Sequence, residues 1–527
     1  MGKGYTYNKE KKGGDGVKLS DLVRSARING GFSYDALAEH LNVSACDIVR
    51  WESGESMPCG EDERKTAAFL AEYAGVGGSM KMDVHSLHGW ESYAAGFEFE
   101  YRQLLEEGKD VERYAGLFEG VSKLEAGETK TRICEALNEM IQTIPMRKGY
   151  EYFEPSDLVS IRETLPEGWM EKRNAPEGNI LERKIRGAWL GRICGCLLGK
   201  TVEGIRTNEL HDLLKKSGNW PMQRYILSGD ITKDMVNRYT YPIAGRCFAD
   251  RIPCAPSDDD TNYMCLAYVL VERYGRDFTS LDVSNTWLQY QPRNAYCTAE
   301  RAAYVNFLKG FRPPVSAVWQ NPYREWIGAQ IRGDYFGYIN PGNPSKAAEM
   351  AWRDASVSHV KNGIYGEMFI SAMIAEAAVE EDILKIIRAG LKQIPPSSRL
   401  YRSVENALDA YINGVSCEDA FKSIYERYDE KNGHDWCHVI SNALIVVLSL
   451  LFGNGDFGKS ICMAVQAGFD TDCNGATVGS ILGMLYGDGT IEEKWTKPLN
   501  GMLDTEIIGL GRVDIEDMVQ NTISHIG

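Results

Sequence analysis

The sequence contains no CxxC pair and no repeating cysteine framework. Its 13 cysteines are scattered through 527 residues. They read as reduced thiols, which excludes a disulfide scaffold and a structural zinc site of the usual spacing. Positive charge is also in short supply: 58 Lys and Arg stand against 74 Asp and Glu, a formal net charge of −16. That balance argues against a nonspecific nucleic-acid binder and suits a protein that binds cations. Long apolar runs are missing as well. The most apolar stretch, VISNALIVVLSLLFG, is too short to span a bilayer and fits a buried helix. The opening residues, MGKGYTYNKEKKGGDG, carry no apolar segment of a secretory signal. They match the loose myristoylation pattern through Gly2 and Thr6, and equally a Gly/Lys-rich flexible tail over 1–16. The expectation is a soluble, cytoplasmic protein without membrane contact. At 43% hydrophobic and 25% charged, the composition leaves ample material for a large core, and the length predicts two or three domains.

Residues 17–76 read as several short helices, with GFS and LNVS supplying turn and N-cap signals. The order SYDALAEHLNVSACDIVRWESG resembles the Cro/repressor type of helix-turn-helix domain. The residues that carry the resemblance are Leu37 and Ala38 on a first helix, Val43 in the turn, and Ile48 and Trp51 on the second. Such a module implies DNA as a partner, read by the second helix in the major groove. The charge opposes this, because residues 15–76 hold six Lys and Arg against eleven Asp and Glu, and phosphate contacts supply much of DNA affinity. The alternative is a small helical bundle for protein contact or dimerisation. Residues 77–178 look helical and acidic, an accessory or linker region with no chemistry of its own. From 179 to 527, long amphipathic stretches alternate with Gly/Pro/Asn loops and β-branched alternation is sparse. That pattern predicts an almost all-α domain.

Two segments of this domain share a glycine row. In RGAWLGRICGCLLGKTVEG, Gly187, Gly191, Gly195 and Gly199 recur every four residues, and Glu203 continues the row. In GFDTDCNGATVGSILGMLYG, Gly475, Gly479, Gly483 and Gly487 do the same. A helical glycine costs roughly 1 kcal/mol relative to Ala, so two rows in register predict close contact between central helices.

Acids gather at the ends of these helices. Asp470 and Asp472 precede the second glycine helix, Glu203 falls where the first should end, and Asp258, Asp259 and Asp260 open another helix. Carboxylates are favoured near helix N-termini by about 0.3–1 kcal/mol each, which accounts for one or two acids at a terminus. Three consecutive acids cannot all face the amides. Six acids brought together would repel unless cations sit between them. Hard oxygen ligands suit Mg2+, Mn2+ or Ca2+, and so many carboxylates suit two ions.

The C-terminal two-thirds resembles the ADP-ribosylglycohydrolases, an all-α family that includes the dinitrogenase-reductase-activating glycohydrolase. RGAWLGRICGCLLGKTVEG is similar to the family's N-terminal glycine helix ending in a glutamate. SDDDTNYM resembles its Thr-Asp-Asp-Thr motif, and GFDTDCNGATVGSILG its Gly-x-Asp-x-Asp-Thr motif. The resemblance implies a binuclear Mg2+ site, with Mn2+ as the alternative, in which Asp259 and Asp260 ligate the first ion. Asp258 stands where the family has Thr and adds a carboxylate to the site. Asp470 and Asp472 complete the site, Asp472 bridging, and Glu203 corresponds to a mobile glutamate near the second ion. Cys473 replaces a Thr ligand, and a thiol is a poor partner for Mg2+.

For the substrate, the resemblance places Gln330, Arg332 and Asp334 near the diphosphate-ribose and His359, Gly363 and Tyr365 along the ADP-ribose groove. His438 and Asn442 would stand near the entrance to the second aspartate motif. On their residue types alone, His359 and His438 read equally as structural histidines, and Arg332 as a core-anchoring ion pair. The implied reaction is hydrolysis of the bond between C1'' of ADP-ribose and an acceptor, with Glu203, Asp259 and Asp472 as the catalytic residues and Glu203 or a metal-bound aspartate as general base. The acceptor is an arginine, a serine, a base or a small metabolite. Two other readings remain: a transcriptional regulator that uses the helix-turn-helix domain and senses ADP-ribose or a related nucleotide, and a two-metal phosphoesterase built on the clustered aspartates.

Overall fold

In the first described helices, the chain starts and stops where its capping residues dictate. The computed structural model describes residues 32–53 and 92–527, except 237 and 244, with single positions between 23 and 69. The myristoylation pattern at Gly2 and Thr6 and the tail over 1–16 lie outside them. Helix α1 (Tyr34–Leu41) is opened by Ser33, whose side chain accepts from Ala36 N, and closed by Asn42 in the left-handed region at φ 56°. Helix α2 (Ala45–Ser53) follows within the next three residues. Ser44 and Asp47 exchange hydrogen bonds at its start, Asp47 N donating to Ser44 Oγ at 3.1 Å and Ser44 N to Asp47 Oδ2 at 3.2 Å. Leu37, Ala38, Leu41, Ile48, Trp51 and Phe69 form one small core with Val43 packed against it. The chain divides into two units, 1–87 with 306–311, and 88–305 with 312–527.

The second unit is built from helices, among them α3 (Tyr93–Glu106), α4 (Glu128–Thr143), α5 (Gly178–Lys200), α6 (Asp259–Tyr274), α7 (Lys361–Ala377), α8 (Val439–Gly453) and α9 (Thr471–Tyr486). Its only described sheet is one short antiparallel pair, β1 (Met502–Asp504) and β2 (Arg512–Asp514). The protein is therefore all-α in class. Among the described residues no helix is long and apolar enough to cross a membrane. The apolar stretch at 439–453 is α8, buried nearly all round.

The glycine rows bring α5 and α9 into backbone contact. A Cβ at Gly191 would overlap the carbonyl of Gly479, one at Gly195 that of Gly475, and one at Gly187 that of Gly483. The pairing runs antiparallel, so the C-terminal end of α5 meets the N-terminal end of α9. At Gly199 a Cβ would overlap the backbone of Thr471 and Asp472. Hence the glycines set the acids of one helix end against those of another.

The region expected to be an accessory linker belongs, from 88 onward, to this same unit. Phe97, Leu104, Phe118, Cys134, Leu137 and Ile141 give α3 and α4 a shared core. Another set of residues from this region turns inward to charged partners. Glu100 and Glu107 hold Arg324 at 2.8 and 2.5 Å, and Gln103 Nε2 donates to Glu325 at 2.7 Å. Glu154 and Glu325 share Arg399 at 2.9 and 2.6 Å. Burial pushes the Glu325 carboxyl up, but Arg399, followed by His438, outweighs it and holds the group down to about 2. The stabilisation this supplies is full above pH 4.5, the ordinary value, and is lost as the pH falls toward 2. Arg399→Ala leaves two buried carboxylates without their cation and is expected to cost about 3–5 kcal/mol in urea unfolding at pH 7. A loss under about 1 kcal/mol would contradict this account of the network.

Candidate metal centre

Three chain segments meet at the end of the α5/α9 seam. Asp258 is the N-cap of α6, its Oδ1 accepting from Asp260 N at 2.9 Å while Oδ2 pairs with Lys200 Nζ at 2.6 Å. Both of its oxygens are thus engaged, by the cap and by the last residue of α5. Asp259 and Asp260 lie in the first turn of α6, and Asp472 in the first turn of α9. Asp258, Asp259, Asp260 and Asp472 each bring a carboxylate oxygen within 4.8 Å of the others.

Asp470 and Glu203 stand next to this group. Asp470 N donates to Asn442 Oδ1 at 3.2 Å, and Asn474 Nδ2 donates to the same oxygen at 2.8 Å, so Asn442 braces the turn that carries the aspartate. Glu203 lies half-buried just beyond the end of α5. The Asp472 charge, then burial, pushes the Glu203 carboxyl up to about 8. Burial, then the neighbouring carboxylates, pushes Asp259 well above the ordinary range, and Asp470 likewise. Asp260 is driven the same way by burial, although Arg192 opposes it.

Two basic side chains pair with acids of this group. Lys200 takes Asp258, and Arg192 takes Asp260 Oδ1 at 2.6 Å and Asp334 Oδ1 at 2.9 Å. Asp260 Oδ2 and Asp472 Oδ1 are buried with no hydrogen-bond partner. Leaving a buried carboxylate oxygen unpaired costs kcal/mol, and a divalent cation removes that cost for several acids together. Hard oxygen donors with free lone pairs fit Mg2+ or Mn2+. Two thiols share the edge of the group: Cys473 with Asp260 and Asp472, and Cys196 with Asp258 and Asp260, each set within 4.8 Å.

Glu106, His434 and His438 also bring three ligand atoms within 4.8 Å. There, both rings accept an N–H at Nδ1, from Trp326 Nε1 and from Ile440 N, each at 3.2 Å. A neutral ring so bonded carries its proton on Nε2, and both Nε2 atoms face Glu106 Oε2, at 3.2 and 3.3 Å. His434 Nε2 hydrogen-bonds Glu106 Oε2, whereas His438 Nε2 is buried without a hydrogen-bond partner.

The six residues expected along the substrate groove lie in the interior. Arg332 takes the ion-pair arrangement, with Asp354 and Glu300 each at 2.5 Å and Glu367 at 3.5 Å. Asp334 is the second carboxylate on Arg192. The side-chain amide of Gln330 is buried without a partner at either end. Ser358 Oγ lies 2.8 Å from His359 Nδ1, and burial, then Arg332, pushes that ring well below the ordinary histidine value. Gly363 lies so close to Arg324 O that a Cβ would stand 2.7 Å from it. The Tyr365 hydroxyl donates to Pro155 O, tying α7 to the region before α5.

Arg192, Cys196 and Lys200 were not anticipated from the sequence. Their signal was present: they step by four along α5, each one residue after a glycine of the row. A face next to the glycine seam must look toward the helix end that the seam presents.

Residues 177–525 match the ADP-ribosylglycohydrolase family. Forty chains of solved structures match as well. One, described as "ADP-ribosylglycohydrolase-related protein complex", aligns with a TM-score of 0.41 and 18% identity, covering 66% of this chain and 97% of that one. Among curated proteins none matches. With the family spanning well over half of its length, its acid cluster included, this chain belongs to the ADP-ribosylglycohydrolases.

Proposed function

We propose that this chain hydrolyses the glycosidic bond between C1'' of ADP-ribose and an acceptor, with two Mg2+ ions held by Asp259, Asp260, Asp470 and Asp472. The observation that carries the reading is the pair of buried, unpartnered oxygens, Asp260 Oδ2 and Asp472 Oδ1, inside a group of four carboxylates. Asp258 supports the site through its cap and Lys200. When bound, the ions supply positive charge for the ribose diol and for a water held beside it.

The chain's own groups do the rest. Glu203 stands at the half-buried rim beside Asp472, where a carboxylate suits a general base. It takes a proton from the attacking water as the new bond to C1'' forms and the bond to the acceptor breaks. The departing acceptor atom keeps the bonding electron pair and receives the proton. The surrounding aspartates oppose the positive charge that develops on the anomeric carbon. Arg192 fixes the Asp260 carboxylate by taking one oxygen and leaving the other toward the site.

Incubation with ADP-ribosyl-arginine, ADP-ribosyl-serine and ADP-ribosylated DNA tests the reading and identifies the acceptor. Free ADP-ribose is expected from one of them with Mg2+ and none with chelator. Release that persists undiminished in chelator, or no release from any of the three, would overturn it.

A further inference from the structure

Most arginines in the interior are spoken for. Arg192, Arg324, Arg332 and Arg399 each pair with two or more carboxylates. Arg206 is different. Among the described residues its guanidinium makes no ion pair, and its Nη1 is buried without a hydrogen-bond partner. Its contacts are aromatic faces, Trp436 at 4.5 Å and Tyr241 at 5.7 Å from the ring centroids.

Both rings are fixed to the segments that carry the acids. Trp436 Nε1 donates to Phe469 O at 2.5 Å, and Phe469, at φ 58°, immediately precedes Asp470. Tyr241 packs on Gly204, the residue after Glu203, where a Cβ would come within 2.9 Å of the ring. The chain therefore holds an unpaired guanidinium three residues beyond Glu203, packed on a ring that hydrogen-bonds the residue before Asp470. The rings supply a cation–π hold that does not neutralise the charge.

An uncompensated, partly desolvated cation carried three residues beyond Glu203 would gain from pairing with an acid. Glu203, three residues away, is not paired with it. What it fits is a ligand that brings its own negative charge. A planar guanidinium binds phosphate oxygens in a forked geometry, and a diphosphate approaching so acidic a centre needs such a partner. We propose that Arg206, set between Trp436 and Tyr241, is the subsite for the diphosphate of the nucleoside-diphosphate-ribose substrate. This rests on the reading of the acid cluster as an ADP-ribosyl hydrolase.

The test is calorimetric binding of ADP-ribose, ADP and adenosine to the full chain and its Arg206→Gln and Arg206→Lys variants in Mg2+. Arg206→Gln is expected to weaken ADP-ribose and ADP by about tenfold or more and to leave adenosine unchanged. Arg206→Lys restores part of the loss, since it keeps the charge and loses the fork. In turnover, the glutamine variant raises KM far more than it lowers kcat. Unchanged ADP-ribose affinity in Arg206→Gln, with turnover intact in the unaltered protein, overturns the subsite and leaves the hydrolase standing. An equal loss for adenosine also overturns it, because the arginine would then only shape the pocket. If the unaltered protein neither binds nor releases ADP-ribose, both readings fall.

Discussion

Asp472→Asn is expected to raise the melting temperature of the chelated protein and to lower ADP-ribose release in Mg2+ by about a hundredfold to a thousandfold. The two effects have one cause. Asp472 shares its 4.8 Å group with Asp258, Asp259 and Asp260, and burial, then the Asp258 charge, pushes its own carboxyl up. Without cations these acids repel, so removing one charge relieves the folded state by about 1–2 kcal/mol, or a few degrees of melting. With cations the sign reverses. The unaltered protein gains stability in proportion to the logarithm of metal over Kd, while the variant has lost an oxygen that no protein donor occupies. The order of the two melting curves is therefore expected to cross on adding Mg2+. A variant that melts lower in both conditions, or that retains full turnover, would mean that Asp472 is structural.

Gly479→Ala is expected to be among the most destabilising single methyl additions at the described glycines. Its Cβ would overlap the carbonyl of Gly191 across the α5/α9 seam, and every atom it meets is backbone. No side chain can rotate away, so the helices must separate along their length, and the acids at their ends must separate with them. A cost of about 3 kcal/mol or more is expected in urea unfolding, at or beyond the upper end of ordinary overpacking. Gly120 provides the contrast, a helical glycine with nothing within 4 Å of its would-be Cβ. Gly120→Ala is expected to stabilise by about 0.5–1 kcal/mol, the ordinary helix propensity difference. Equal effects of opposite origin cannot produce this pair of signs. If Gly479→Ala is neutral, the seam is not in contact.

What could be read in the sequence was what is local in it. The glycine rows repeat every four residues, so their contact was predictable, and Asp258 to Asp260 and Asp470 with Asp472 each fall within three positions. Both survive in the structure because α5 and α9 pair along the rows and end at the aspartates. Partners far apart in the chain were out of reach. Glu107 meets Arg324 across 217 positions, and Glu154 meets Arg399 across 245. In the string FEFEYRQLLEEGK such glutamates look like a solvated helix face, because nothing nearby announces the buried arginines. The same limit governed Arg332 and Asp334, whose residue types suit a phosphate-ribose site as well as an interior ion pair. Only their partners, Glu300, Asp354 and Glu367 for one and Arg192 for the other, decide how the structure uses them. Asp258 illustrates both sides: the cap was foreseeable from its place before a helix, whereas its second bond, to Lys200, required knowing where α5 ends.

Hydrolysis in H2(18)O, with the accepted substrate and Mg2+, tests the central claim most directly. Products are quenched within seconds, before the reducing end of ADP-ribose exchanges with solvent, and analysed by mass spectrometry. The account predicts one 18O at C1'' of ADP-ribose, none in the released acceptor, and no inorganic phosphate or AMP. Label appearing in phosphate or AMP, with the glycosidic bond intact, would contradict it and assign the acid cluster to phosphoester cleavage.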